Sequence, residues 1–218
     1  MMNKDAKIVS DGYNKIGPVY NEWAKTVRVA ERDKYIRKVK ERCPRGGKVL
    51  DVGCGNGSFI TSHFAEDFQV AGVDISDYQI SEAQKNVPKG EFMCGDVRDC
   101  RFEPATFDAI MSFYCFNHIE RNDYPGLLAR FHEWLKVDGY LVASFGVNDE
   151  KEWIGEWLGA RTFFSSHSRE ATLTLINAAG FRIESEVVET EIEDGEDASF
   201  LWIIARKQAS NKSAQAIP

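Results

Sequence analysis

The sequence predicts an α/β protein whose mostly parallel sheet carries helices on both faces, and three observations make the prediction. A short apolar, β-branched run, Val49 to Val52, is broken at once by Gly53, Gly55 and Gly57. Strand-like apolar runs and helix-length amphipathic stretches then alternate up to residue 146, the pattern of a parallel sheet. Acidic residues recur at the ends of successive strand-like runs, at Asp51, Asp74 and Asp96.

Taken in order, residues 4–42 read as helical, with a break expected at Gly17-Pro18. The second part, Arg28 to Cys43, is amphipathic, with Ala30, Tyr35, Val39 and Cys43 near one face. After the first strand and its glycine turn, Ser58 to Ala65 predicts a helix, which would put the turn at a helix N-terminus. Gln69 to Val73 is a second strand ending at Asp74, and Ser76 to Lys85 is a helix with Ser76 as its N-cap. Glu91 to Cys94 and Phe107 to Phe113 follow as strands. Glu120 to Lys136 predicts a helix whose Leu127, Phe131 and Leu135 recur every four residues, and Tyr140 to Gly146 is a fifth strand. Ser168 caps a helix that runs to Ala179 and stops at Gly180. Phe181 to Thr190 and Ser199 to Lys207 complete seven strands as a hairpin around the acidic loop Glu191 to Asp197. Lys207 to Pro218 has no apolar pattern and is expected to be a disordered tail.

Length and composition narrow the class. The 218 residues suffice for one domain with a sizeable core, and no apolar run approaches the ~18 residues of a membrane span. The polar, mixed-charge start, Met1 to Asp11, is unlike a signal peptide. Five cysteines are odd in number and never spaced Cys-x-x-Cys, which argues for a reducing cytoplasm and against a disulfide framework or zinc site. Four unclustered histidines give no metal site. With a net charge of −7 and no basic stripe, a nucleic-acid or membrane partner is not expected; Arg28 to Arg45 mixes both signs, as a solvated helix face does.

The glycine turn lets the backbone take positive φ and lets a ligand approach without meeting a Cβ. Such a turn alone is weak evidence, because many α/β proteins use one. Asp51, two residues before Gly53, adds a carboxylate suited to a ligand ammonium. Asp74, at the end of the second strand, can accept both hydroxyls of a ribose. Here the chain resembles the class I S-adenosylmethionine (SAM)-dependent methyltransferases. Val-Leu-Asp-Val-Gly-Cys-Gly-Asn-Gly at 49–57 matches that family's first motif, Asp74 its second, and Gly95-Asp96-Val97 its third, whose acid contacts the adenine amine. Phe107 to Ser112 matches the fourth. Leu135 to Leu141 is similar to the Leu-Lys-Pro-Gly-Gly turn, with Val137 and Asp138 in place of Pro and Gly.

The resemblance covers roughly residues 45–147. It implies a Rossmann-like, seven-stranded sheet with an antiparallel last strand. It divides a single domain into a lid over the ligands at 1–44, a SAM-binding core at 45–207 and a tail at 208–218. It implies SAM as cofactor, released as S-adenosylhomocysteine. The implied contacts are Asp51, Gly53, Cys54, Gly55, Asn56 and Gly57 in the first motif, Asp74 and Ile75 in the second, Gly95, Asp96 and Val97 in the third, and Phe113 after the fourth strand.

The implied reaction moves a methyl group to an O, N or S atom of a small molecule. It asks the protein mainly to hold the acceptor in line and exclude water. The candidate base is His118, which follows the fourth strand; a histidine near pKa 6.5 suits proton acceptance. The family often has His-His-Ile there, whereas this chain has Asn117-His118-Ile119. Tyr13 and Tyr20, in the lid segment, are further catalytic candidates. Tyr20, Trp23, Tyr114, Asn117, Trp153, Trp157 and Phe163 are the candidate acceptor contacts. The segment Ser112-Phe113-Tyr114-Cys115 lacks the Asn/Asp-Pro-Pro-Tyr of methylators of exocyclic base amines, which favours a small molecule. A protein or RNA acceptor is one alternative and a non-catalytic SAM-binding module another. Asp51 and Gly95-Asp96 disfavour a nicotinamide-dependent oxidoreductase. Nothing in the sequence decides between monomer and homodimer.

Overall fold

The computed structural model describes residues 2–193 and 195–208, so the tail expected from 209 onward lies outside the described residues. Along the chain run α1 (Lys4–Ala24), α2 (Val29–Arg42), β1 (Lys48–Val52), β2 (Gln69–Asp74), α3 (Asp77–Asn86), β3 (Glu91–Cys94) and β4 (Phe107–Ser112). Then come α4 (Tyr124–Trp134), β5 (Leu135–Gly146), β6 (Trp153–Trp157), β7 (Ala160–Phe164), α5 (Arg169–Ala178), β8 (Phe181–Glu193) and β9 (Glu196–Lys207). Seven strands form one sheet in the order β3-β2-β1-β4-β5-β9-β8, and β6 and β7 form a separate hairpin. β9 is antiparallel to both of its neighbours, while the other pairings of the large sheet are parallel. This is the Rossmann-like sheet the sequence predicts, with its last strand reversed.

Side chains alternate across each strand, so one strand feeds two cores. Leu50, Val52, Val73 and Ile110 pack with Leu127, Phe131 and Trp134 of α4 and Ile176 of α5. Val49, Val70, Ala109 and Met111 pack on the other face with Tyr35, Ile36 and Val39 of α2. Burial on both faces is why these strands read as continuous apolar runs. Tyr35 stacks on Trp202 of β9, centroids 3.8 Å apart, and fastens α2 to the sheet.

The local caps are where the sequence puts them. The Ser76 and Ser168 side chains accept from the backbone N–H of Gln79 and Ala171, and Gly180 ends α5 at φ 92°. Five expectations change. α1 runs unbroken through Pro18, because Gly12, Ile16 and Gly17 on its buried face are held by β7 and α3; Gly12 leaves no room for a Cβ against the Arg161 carbonyl. Ala30 is exposed, off the buried face of α2. Ser58 to Ala65 is not an α-helix but a series of turns with one 3₁₀ turn at Thr61–His63. The hydroxyls of Ser58, Thr61 and Ser62 bond to Asn56 Oδ1, Asp51 Oδ2 and the Ser58 carbonyl, and such local bonds compete with helix formation. The helix expected over 120–136 begins only at Tyr124, and Leu135 opens β5 opposite Phe107. The last hairpin is also longer than its acidic loop implied, pairing through Ile192 with Asp197 and Glu193 with Glu196.

Candidate active site

The C-terminal ends of β1 to β4 open into one cavity where the strand order reverses between β1 and β4. The cavity encloses about 700 Å³, its open mouth included, within the ~300–1,000 Å³ usual for small-molecule sites. Gly53 and Gly55 line it from the turn after β1, Asp74 and Ile75 from the end of β2, Gly95, Asp96 and Val97 from beyond β3, and Phe113 from beyond β4. α1 closes one side with Ala6, Val9, Tyr13 and Tyr20. That helix is tied to the β2–α3 turn: Ser10 Oγ donates to the Ile75 carbonyl at 3.1 Å, and Ser76 Oγ donates to Asn14 Oδ1 at 2.6 Å.

The glycines differ in what they serve. Gly53 (φ 74°) presses on Cys115, where a Cβ would lie 2.7 Å from the Cys115 Cβ. A Cβ on Gly55 (φ 53°) would project into open space, its one near neighbour being Gln79 Oε1 at 3.9 Å. Gly57 does not reach the cavity; it makes room for Ala83 and Val87 around α3. Nor do Asp51, Cys54 and Asn56 line it. Thr61 Oγ1 donates to Asp51 Oδ2 at 2.6 Å and draws that carboxyl into the turn behind the wall, where burial pushes it up to about 7. Asn56 Oδ1 accepts from the N–H and hydroxyl of Ser58, and Cys54 is buried against Gly72.

Asp74 is the fixed point. Its Oδ2 accepts from the Gly55 N–H and its Oδ1 from the Ser76 N–H, both at 2.9 Å, so one carboxylate sets both the glycine turn and the start of α3. Burial still pushes its pKa up, opposed by those backbone donors. Asp96 is differently engaged. Arg98 Nη2 donates to Asp96 Oδ2 at 2.7 Å, while Arg98 Nη1 donates to Asp5 of α1 at 2.8 Å and to Asp123 at 2.6 Å. Arg98 thereby joins α1, the third motif and the segment before α4, and it occupies the carboxylate the resemblance assigns to the adenine amine.

Tyr13 and His118 meet in the wall of the cavity, Tyr13 Oη 2.9 Å from His118 Nε2. His118 Nδ1 lies 3.0 Å from the Phe163 carbonyl, which can only accept, so Nδ1 carries the proton and Nε2 accepts from Tyr13. Burial pushes the His118 pKa down to about 4. The expected histidine near 6.5 is therefore a neutral acceptor far below neutral pH. Burial also raises the Tyr13 pKa, so its phenol stays protonated.

A second cavity adjoins the first and shares Tyr13, Tyr20, Tyr114 and His118 with it. Trp23, Asn117, Trp157 and Phe164 complete much of its wall. Tyr13, Tyr20, Trp23 and Trp157 pack edge-on or tilted at 5.0–6.1 Å between centroids. Of the candidate acceptor contacts, Trp153 and Phe163 do not line this cavity. Trp153 is 41% exposed and packs against Phe164, and Phe163 is buried, serving through its carbonyl. His132 packs against Phe181, His63 is exposed and His167 bonds the Arg121 carbonyl, so none of them enters the site. Among the described residues no group of His, Cys, Asp and Glu could hold a metal ion. Sequence reasoning missed Arg98 and Gln79. The pattern Ser76-x-x-Gln79 was a local signal for the second; the first had only Asp96 two residues away, its other partners Asp5 and Asp123 lying far along the chain.

A glycine turn at a strand-order reversal, an acid ending β2 and a helix across the mouth define a nucleoside-binding α/β site. Residues 49–139 match the family described as a methyltransferase domain. A dTDP-3-amino-3,4,6-trideoxy-alpha-D-glucopyranose N,N-dimethyltransferase from Streptomyces venezuelae is 31% identical over 118 residues, 53% of this chain and 49% of that protein. A dTDP-4-amino-2,3,4,6-tetradeoxy-D-glucose N,N-dimethyltransferase from Saccharopolyspora spinosa is 35% identical over 150 residues, 60% of this chain and 57% of that one. The chain thus spans about half the length of these curated relatives. Among solved structures, the magnesium protoporphyrin IX methyltransferase of Synechocystis PCC 6803 with bound SAM has a similar fold. Its TM-score is 0.70 at 18% identity, covering 95% of this chain and 99% of that one.

The residues present fit SAM. Open space lies over Gly55, a carboxylate stands beside it at Asp74, and Val97 and Phe113 offer apolar wall.

Proposed function

We propose that this protein transfers the methyl group of SAM to an O, N or S atom of a small-molecule acceptor held in the second cavity. The observation that carries the reading is the shared wall of the two cavities, Tyr13, Tyr20, Tyr114 and His118, across which a group could pass. Asp74 would hold the ribose hydroxyls, Gly53 and Gly55 would let the cofactor lie against the backbone, and α1 would act as the lid. Bound there, SAM supplies an electrophilic methyl on a sulfonium. Everything else asked of the chain is positioning, water exclusion and proton handling.

Tyr13 handles the proton in this reading. Its own hydrogen is committed to His118 Nε2, so the lone pairs on its oxygen are free to accept an N–H, O–H or S–H of the acceptor. As the acceptor loses its proton to Tyr13, Tyr13 passes its own to His118, and the Phe163 carbonyl holds the ring in place. The aromatic walls suit an apolar or planar acceptor body. The two relatives' names, both of sugar N,N-dimethyltransferases, favour a small acceptor over a protein or RNA. The acidic net charge agrees. Five unbridged cysteines, and no helix among the described residues long and apolar enough to cross a membrane, support a place in the cytoplasm.

The test is methyl-labelled SAM incubated with the protein and fractionated cell extract. Label in small molecules is the expected result. Label in protein or RNA would replace the acceptor class, and SAM binding with no transfer to any fraction would favour a binding module.

Tyr13→Phe and His118→Ala should each lower kcat by ~10²-fold, the lower end of what general acid–base groups contribute, with SAM affinity unchanged. The double variant should be no worse than either alone, because the two act as one unit. Since burial holds His118 near pKa 4, it stays in its proton-accepting form as pH falls from 8 to 5. The kcat profile should therefore lack a step near 6.5. A step there that vanishes in His118→Ala would refute the buried dyad.

A further inference from the structure

The wall of the second cavity carries three charged side chains, Arg28, Arg32 and Glu193. Arg28 is neutralised. Its Nη1 donates to Glu31 Oε2 at 2.7 Å, its Nε to Glu193 Oε1 and its Nη2 to the Ala198 carbonyl. Both oxygens of Glu31 are engaged, because Oε1 accepts from Tyr114 Oη at 2.9 Å and from Trp202 Nε1. Arg32 is left with no carboxylate partner among the described residues, its hydrogen bonds going to backbone carbonyls.

Arg32 is 8% exposed, and a side chain so buried rarely keeps its charge without a counter-ion. Its Nη1 and Nη2 donate to the carbonyls of Val27 and Ala24, at 2.5 and 2.6 Å, and so cap the C-terminal end of α1. A guanidinium has more N–H donors than this cap uses, and helix-end carbonyls supply only partial negative charge. The Phe59 ring, its centroid 5.3 Å from Arg32 Cζ, adds a cation–π contact. Nε makes no hydrogen bond among the described residues, and it is not one of the fully enclosed polar atoms. Of the two cavities Arg32 lines only the second, away from the glycine turn and Asp74.

We infer that Arg32 is a specificity residue that pairs with a carboxylate on the acceptor, an inference that rests on the second cavity being the acceptor site. One cation without a counter-ion suits a singly charged carboxylate better than a phosphate. Trp23, Trp157 and Phe164 line the same cavity, so the substrate class is an acid with a planar or apolar body. The carboxylate is held and not methylated. The receiving O, N or S atom stands elsewhere on the acceptor, at the Tyr13–His118 pair that lines the same cavity.

The test begins with the small molecules labelled from methyl-labelled SAM, treated with a carbodiimide and an amine resin that captures carboxylates. Capture of the labelled product is the expected result. Product left in solution overturns the inference, and so does label released as methanol by mild base, the mark of a methyl ester. The acceptor purified from that fraction is then assayed with Arg32→Met and Arg32→Lys. Arg32→Met should raise the acceptor KM by about tenfold or more while the Kd for S-adenosylhomocysteine stays within about twofold. Arg32→Lys keeps the charge but not the planar fork and should fall between; it decides alone if Arg32→Met does not fold. A lower melting temperature with the acceptor KM preserved would make Arg32 a helix cap only and overturn the inference. A loss of S-adenosylhomocysteine affinity at unchanged KM would also overturn it, giving the charge to the cofactor's own carboxylate. No label in any small molecule overturns the proposed acceptor class itself, and this inference with it.

Discussion

Gly55→Val is expected to abolish cofactor binding while leaving the protein folded. The backbone at Gly55 has φ 53°, where a residue with a Cβ is strained by ~1–2 kcal/mol and a β-branched one somewhat more. The fold already carries non-glycine residues in that region, Tyr114 at φ 57° and Ala105 at φ 54° among them. A Cβ at position 55 meets no protein atom closer than 3.9 Å, so the side chain projects into the cavity and not into the core. The valine would therefore occupy ligand space at a modest cost in stability. Calorimetry with S-adenosylhomocysteine should show no detectable heat of binding, and the melting temperature should fall by only a few degrees. Normal affinity would show that the glycine turn does not hold the cofactor.

Asp74→Ala should combine a loss of affinity with a loss of stability. The carboxylate fixes the Gly55 and Ser76 N–H groups, and both would lose a charge-assisted acceptor, each such bond contributing ~1.5–3 kcal/mol. The ribose would lose its acceptor as well, so affinity should drop by ~10²-fold or more, from a similar free energy. Asp74→Asn separates the two effects. Its remaining carbonyl oxygen can serve one of the backbone donors, so stability should recover in part while affinity stays low. Unchanged affinity in Asp74→Ala would break the cofactor assignment.

The two substitutions also mark how much of the site the sequence exposes. Gly53, Gly55, Asp74, Gly95 and Asp96 were legible because each ends or follows a strand, and a parallel sheet carries all such ends to one edge. Asp51, Cys54, Asn56 and Gly57 belong to the same motif yet lie off the cavity wall. A turn alternates the directions of its side chains, and Thr61 decides where the Asp51 carboxyl goes. That bond depends on the 3₁₀ turn at 61–63, where the sequence predicts a helix.

Beside the reversed last strand, which the family resemblance implied, the sequence by itself determined the strands of the sheet, its glycine turn and the caps at Ser76 and Ser168. These depend on apolar period, on positive φ and on hydrogen bonds spanning a few residues, all of them local. Only the tertiary structure decided the unbroken α1 through Pro18, the Arg98 clamp on Asp5, Asp96 and Asp123, and the Tyr13–His118 contact across 105 positions. Each of these joins elements far apart in the chain. Their geometry exists only once the two cores have packed and set the distance between the helix and the sheet.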